Sequence, residues 1–102
     1  MKISIDFQYF EGCPNHKKMS DNLEKAIKGL ENKTELRKIL VEDELTALKT
    51  GFRGSPTLLI NGEDIEGAPA PKEPSLSCRF YANGIPDVDK IRQMIIQKIN
   101  ME

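Results

Sequence analysis

The chain has 102 residues, 38% apolar and 30% charged, a balance that suits one globular domain with a modest core. Its net charge of −1 gives no electrostatic footprint for nucleic acid or an anionic membrane. No apolar run approaches the length of a membrane span.

Ile3, Ile5, Phe7 and Tyr9 alternate with polar residues, which predicts a strand from about Lys2 to Tyr9 with one apolar face. Because the opening alternates instead of forming an apolar h-region, no signal peptide is expected. A short turn, Phe10 to Gly12, leads to Cys13 and Pro14. Pro14 suits the first helical position, where its missing N–H leaves no bond unmade. The predicted helix runs to Leu30, with Met19, Leu23, Ala26, Ile27 and Leu30 as its buried stripe.

A second strand is expected over Glu35 to Val41. It ends in three apolar residues, a pattern that predicts burial on both faces. Glu42, Asp43 and Glu44 then place acids at the start of a short helix, about Asp43 to Thr50, with Leu45 and Leu48 inward and Gly51 as its stop. Thr57 to Ile60, Asn61-Gly62 and Glu63 to Gly67 read as a β-hairpin with a type I′ turn. Three prolines, Pro69, Pro71 and Pro74, stiffen the following loop. Ser77 to Tyr81 suggests a short extended piece. Asp87 is the expected cap of a last helix with Val88, Ile91, Ile95 and Ile99 buried. The order β-α-β-α-β-β-α defines an α/β domain with a mixed four-stranded sheet.

Cys13 stands where a strand gives way to a helix. Free N–H groups and the positive end of the helix dipole favour an anion there and lower a thiol pKa, and the thiolate is the nucleophile. The bland reading is a small buried hydrophobe. His16, three residues on, is either a solvated first-turn side chain or a group that supports the thiolate or moves a proton. Cys78 is either a packed side chain or a second reactive sulfur. Arg79 is a salt-bridge residue or an anion binder. Tyr9 and Phe10 read as packing. Two cysteines without an export signal suggest a reducing, cytoplasmic setting, where a cysteine pair is more often catalytic, redox-sensing or metal-binding than structural.

The segment Val41 to Glu63, with acids after a strand, a short helix, Ser55-Pro56-Thr57 and an Asn-Gly hairpin, resembles the thioredoxin-like superfamily. The likeness spans Lys2 to about Gly67 and returns at the last helix. Small bacterial thioredoxin-like proteins with Gly-Cys-Pro-Asn and a later Ser-Cys-Arg are similar. The resemblance implies a cis Pro56 facing Cys13, and a Ser55 backbone that pairs with a bound peptide or thiol substrate. One departure matters: His16 stands where that family's Cys-x-x-Cys has its second cysteine.

In the resembling fold the cysteine loop, the proline loop and the end of the hairpin meet at one end of the sheet, so Cys78 is expected near Cys13. The implied function is thiol–disulfide exchange. Cys13 is the nucleophile, Cys78 or an external thiol such as glutathione resolves the mixed disulfide, His16 assists, and Ser55 and Pro56 bind substrate. No cofactor is implied, and the partner is a protein or small molecule carrying a thiol or disulfide. The other class left open is a non-catalytic module that grips a protein or a soft metal ion through Cys13, Cys78 and His16. The chain has too few cysteine and histidine residues for a closed structural zinc set without carboxylates.

Overall fold

The alternation of the opening run builds the central strand. The structure, a computed structural model, describes residues 2–101. Strands β1 (Ile3–Tyr9), β2 (Thr34–Leu40), β3 (Thr57–Ile60) and β4 (Glu63–Asp64) form one sheet in the order β2-β1-β3-β4. β1 runs parallel to β2, from Ile3 opposite Thr34 to Tyr9 opposite Leu40. It runs antiparallel to β3, which in turn pairs antiparallel with β4. The helices among the described residues are α1 (Asn15–Ala26), α2 (Glu44–Thr50) and α3 (Val88–Met101).

The two-residue period turns one face of β1 into the larger core. Ile3, Ile5 and Phe7 are buried with Met19, Leu23 and Ala26 of α1, Leu58 and Ile60 of β3, and Ile91 and Ile95 of α3. From the other parity, the Gln8 amide donates to the Thr50 carbonyl at 2.9 Å and ties β1 to the end of α2. There a smaller cluster of Val41, Ala47 and Phe52 collects Phe10, Ile39 and Leu76. Burying each large apolar side chain is worth about 1.5–3 kcal/mol, so the larger cluster carries most of the hydrophobic stabilisation.

Several elements follow the sequence expectation. Asn61 (φ 52°) and Gly62 (φ 80°) both occupy the left-handed region, as a type I′ turn requires. Asp87 Oδ1 accepts the Lys90 N–H at 2.8 Å and starts α3. Gly51 (φ 66°) ends α2, and Asp43 caps it by accepting the Thr46 N–H at 2.7 Å.

Five expectations are corrected. α1 stops at Ala26 rather than Leu30, because the chain turns through Gly29 at φ 83° and a one-turn 3-10 segment, Glu31–Lys33. Pro14 is the cap of α1 and not its first residue. β2 is an outer strand rather than one buried on both faces. Glu35, Arg37 and Lys38 are exposed, Leu36, Ile39 and Leu40 are half-buried, and Val41 lies beyond its end. Leu45 and Leu48 point outward, 60% and 59% exposed. The inward position of α2 is taken by Ala47, whose small side chain lets the helix sit close on Phe52 and Val41. The second hairpin strand is also shorter than expected and ends at Asp64.

Candidate functional site

The site assembles around Ser55. The Ser55-Pro56 peptide is cis, as the resemblance implied. The Ser55 hydroxyl accepts the Phe10 N–H at 2.9 Å and donates to the Phe10 carbonyl at 3.3 Å, so the loop ahead of β3 is fastened to the loop that carries Cys13. Phe10 in turn accepts the Cys13 N–H at 3.2 Å, closing the turn. Cys13 then lies one residue before Pro14, the cap of α1. α1 has no side-chain cap and no acid in its first turn, so the positive end of its dipole lies at the cysteine turn, where the acid nearby is the exposed Glu11.

The backbone of Ser55 faces a different segment. Its N–H donates to the Ser77 carbonyl at 2.8 Å, and its carbonyl accepts the Arg79 N–H at 2.9 Å. Ser77 to Arg79 thus pairs with Ser55 as a one-residue parallel bridge centred on Cys78. Cys78 is joined to Cys13 by a disulfide, with Cα atoms 5.6 Å apart across 65 residues of sequence. That separation lies within the range an unstrained bridge spans. Residues 67–86 form a strap that leaves the hairpin, crosses Ser55 and returns to α3. Gly54 permits the crossing. It holds φ 99°, and a Cβ there would stand 3.0 Å from the Cβ of Arg79 and 3.2 Å from its backbone.

The strap is anchored by polar groups. Asp64, at the end of β4, accepts both guanidinium arms of Arg79, at 2.5 and 2.7 Å, and the backbone N–H groups of Glu66 and Ala68 at 2.9 and 3.0 Å. The carboxylate side chain is fully buried and that of Arg79 is 8% exposed. Burial alone would raise the Asp64 pKa, but the Arg79 guanidinium and the two N–H groups outweigh it and hold the carboxyl below its usual range. The Arg79 guanidinium also stacks 4.4 Å over the ring of Tyr81. The Tyr81 hydroxyl donates to the Pro56 carbonyl at 2.6 Å, and burial pushes its own pKa well up. Arg79 is therefore a salt-bridge residue, and its charge is spent on Asp64.

The two sulfurs differ in access. Cys13 is 1% exposed, whereas Cys78 belongs to the exposed part of the strap. His16 is tied to Cys13 through the backbone, its N–H reaching the Cys13 carbonyl at 3.4 Å. Its ring packs on Tyr9, with centroids 5.1 Å apart, above the stacked pair Phe7 and Tyr9. Among the described residues, no group of three or more His, Cys, Asp or Glu side chains is placed to hold a metal ion. No helix among them is long and apolar enough to cross a membrane.

Sequence reasoning brought Cys13, Ser55, Pro56 and Cys78 to one place. It missed Asp64 and the Tyr81 hydroxyl, which hold the strap. The sequence carries no signal that singles out Asp64, which stands at the end of β4 between two other acids, Glu63 and Glu66. Searches against models of known protein families and against curated proteins give no match for the chain.

Proposed function

We propose that the chain is a thioredoxin-like thiol–disulfide exchange protein, with Cys13 and Cys78 as its redox pair. Cys13 supplies a thiolate at the uncapped start of α1, and Cys78 supplies the partner sulfur that His16 cannot. The observation that carries this reading is a convergence. Two cysteines 65 residues apart meet across Ser55, beside a helix start that favours a thiolate. His16 enters as a flank of the site, held on Tyr9.

Chemically, oxidation removes two electrons and two protons from the dithiol and forms the Cys13–Cys78 bond. Reduction by two external thiols returns them and yields the external disulfide. The pair is favoured by its holding: with the strap clamped through Asp64, the second thiol meets the first at high effective concentration.

The test is turnover. The reduced chain is mixed with a small disulfide substrate and excess glutathione, and the monomer is peptide-mapped after mild oxidation. Catalysed loss of the substrate, together with a Cys13–Cys78 cross-linked peptide, supports the reading. A cross-link without turnover makes the bond a staple on a non-catalytic binding module, and no cross-link removes the pair altogether.

A further inference from the structure

The Cys13–Cys78 bond presents one sulfur to solvent and hides the other. Cys13 is 1% exposed beneath the strap, while Cys78 lies in its exposed stretch. Which sulfur of a disulfide an incoming thiolate attacks depends on access and on how readily the other sulfur leaves. Both criteria select Cys78. If Cys78 is attacked, the electron pair departs on Cys13, one residue ahead of the α1 cap. The positive end of the α1 dipole there, with no acid in the first turn of the helix, favours a thiolate. If Cys13 were attacked, the pair would depart on Cys78, and the only cation adjoining it in sequence, Arg79, is already bound by both arms to Asp64.

Ser55 adds a second constraint. An extended peptide docks on a backbone edge through N–H and carbonyl groups. Ser55 offers neither in the oxidised form, since Ser77 and Arg79 hold both. A small thiol needs no such edge.

Resting on the thiol–disulfide reading above, we infer that the oxidised protein is opened by a low-molecular-weight thiol that attacks Cys78, so that the mixed disulfide forms on Cys78 and Cys13 leaves as the thiolate. This reverses the order that the position of Cys13 alone implies. In the step, RS⁻ forms a bond to the Cys78 sulfur as the Cys78–Cys13 bond breaks, and the electron pair goes to Cys13. A second molecule of the same thiol then removes R as RSSR and leaves Cys78 as the thiolate. Alternatively, the Cys13 thiolate returns, expels RS⁻ and closes the bond again. Read backwards, the same path has the Cys78 thiolate meeting a small disulfide first and Cys13 resolving it.

The experiment uses the oxidised full chain. Its Cys13–Cys78 cross-link is first verified by peptide map. Reduced glutathione is added, the reaction is acid-quenched within its first turnover, free thiols are alkylated and the peptides are mapped. The expected result is glutathione on Cys78 and the alkyl group on Cys13, in about tenfold excess over the opposite isomer. Equal amounts of the two isomers, or glutathione chiefly on Cys13, overturns the inference while leaving the exchange reading intact. A parallel arm replaces glutathione with an unstructured cysteine peptide at equal thiolate concentration. Opening at least as fast with glutathione supports the small-thiol assignment, and faster opening by the peptide overturns it. If the cross-link is absent before any thiol is added, the exchange reading fails with it, and that failure is seen at the first step.

Discussion

The sheet with α1 and α3, and the strap that crosses its end, are held by different physics. The first rests on apolar burial shared among many side chains, from Ile3 and Phe7 to Ile91 and Ile95. No single contact there is indispensable to its neighbours. The strap rests on a few directed contacts: the Asp64–Arg79 pair, the Tyr81–Pro56 hydrogen bond, the two Ser55 backbone bonds and the disulfide. Its apolar contribution is chiefly Tyr81 and Ile85 in the larger core and Leu76 in the smaller. A region held by a few directed bonds can be released by breaking one of them, with the sheet left standing. The difference predicts that redox state acts on the strap and not on the fold.

The largest expected effect is at the buried ion pair. Asp64→Asn leaves the Arg79 guanidinium buried without its counter-charge, a change that costs about 3–5 kcal/mol in comparable pairs. Urea denaturation of the oxidised chain measures it. The pH dependence has a definite sign. The Asp64 carboxyl is held below its ordinary value, so its contribution is complete above the unfolded pKa of about 3.9 and is lost as pH falls through the lowered folded value. The stability gap between wild type and Asp64→Asn should therefore stay level from neutrality to about pH 5 and narrow below about pH 4. A gap that closes at neutral pH would show that the pair is not what anchors the strap.

Next comes the covalent tie. Cys78→Ser should lose about 2–4 kcal/mol against the oxidised wild type and almost nothing against the reduced wild type. Hydrogen exchange then separates the two regions. The Ser55 and Arg79 amides, which bond across the strap, should lose protection on reduction, while the amides of β1 and β3 keep theirs relative to global unfolding. Equal losses in both regions would merge the strap with the core and undo the contrast.

A smaller effect is expected at Gly54, where strap and sheet come closest. Gly54→Ala imposes a left-handed φ on a residue with a side chain and sets its Cβ 3.0 Å from that of Arg79. A destabilisation above about 1 kcal/mol is expected, with strap amides exposed first.

The contrast also explains what could be read from the chain alone. The sheet and the two long helices were legible because their signals are local and repeated: the alternation from Ile3 to Tyr9, the Asn61-Gly62 turn, and the helical stripes through Met19 and Leu23 and through Ile91 and Ile95. The meeting of Cys13 with Cys78 was legible only through the likeness to a known topology, since nothing in their spacing joins them. The clamp was not legible. Asp64 and Arg79 are 15 residues apart on different elements, and their pairing depends on the path of the strap over Gly54. The edge position of β2 was equally hidden, because three consecutive apolar residues, Ile39 to Val41, look alike in a central strand and at the end of an outer one.

The smallest expected effect tests the correction at α2. Two leucines three residues apart look like the buried face of a short helix, yet Leu45 and Leu48 are 60% and 59% exposed. Which face turns inward was settled by the two ends of the segment. Val41 before it and Phe52 after it are both fully buried, and only Ala47 is small enough to bring the helix backbone down onto them. The Thr50 carbonyl is drawn to Gln8, and the Phe52 N–H to the Ala47 carbonyl at 2.9 Å, which fixes the rotation further. Leu45→Lys and Leu48→Lys should each change stability by less than about 0.5 kcal/mol, as surface substitutions do. Ala47→Leu, which keeps the apolar character but adds volume at the tight contact, should cost about 1–3 kcal/mol. Thermal and urea denaturation of the three variants decide the matter. If either lysine variant is the more damaging, the leucines carry packing that this arrangement of α2 denies them. If Ala47→Leu is silent, the close seat of α2 on Phe52 is not what orients the helix.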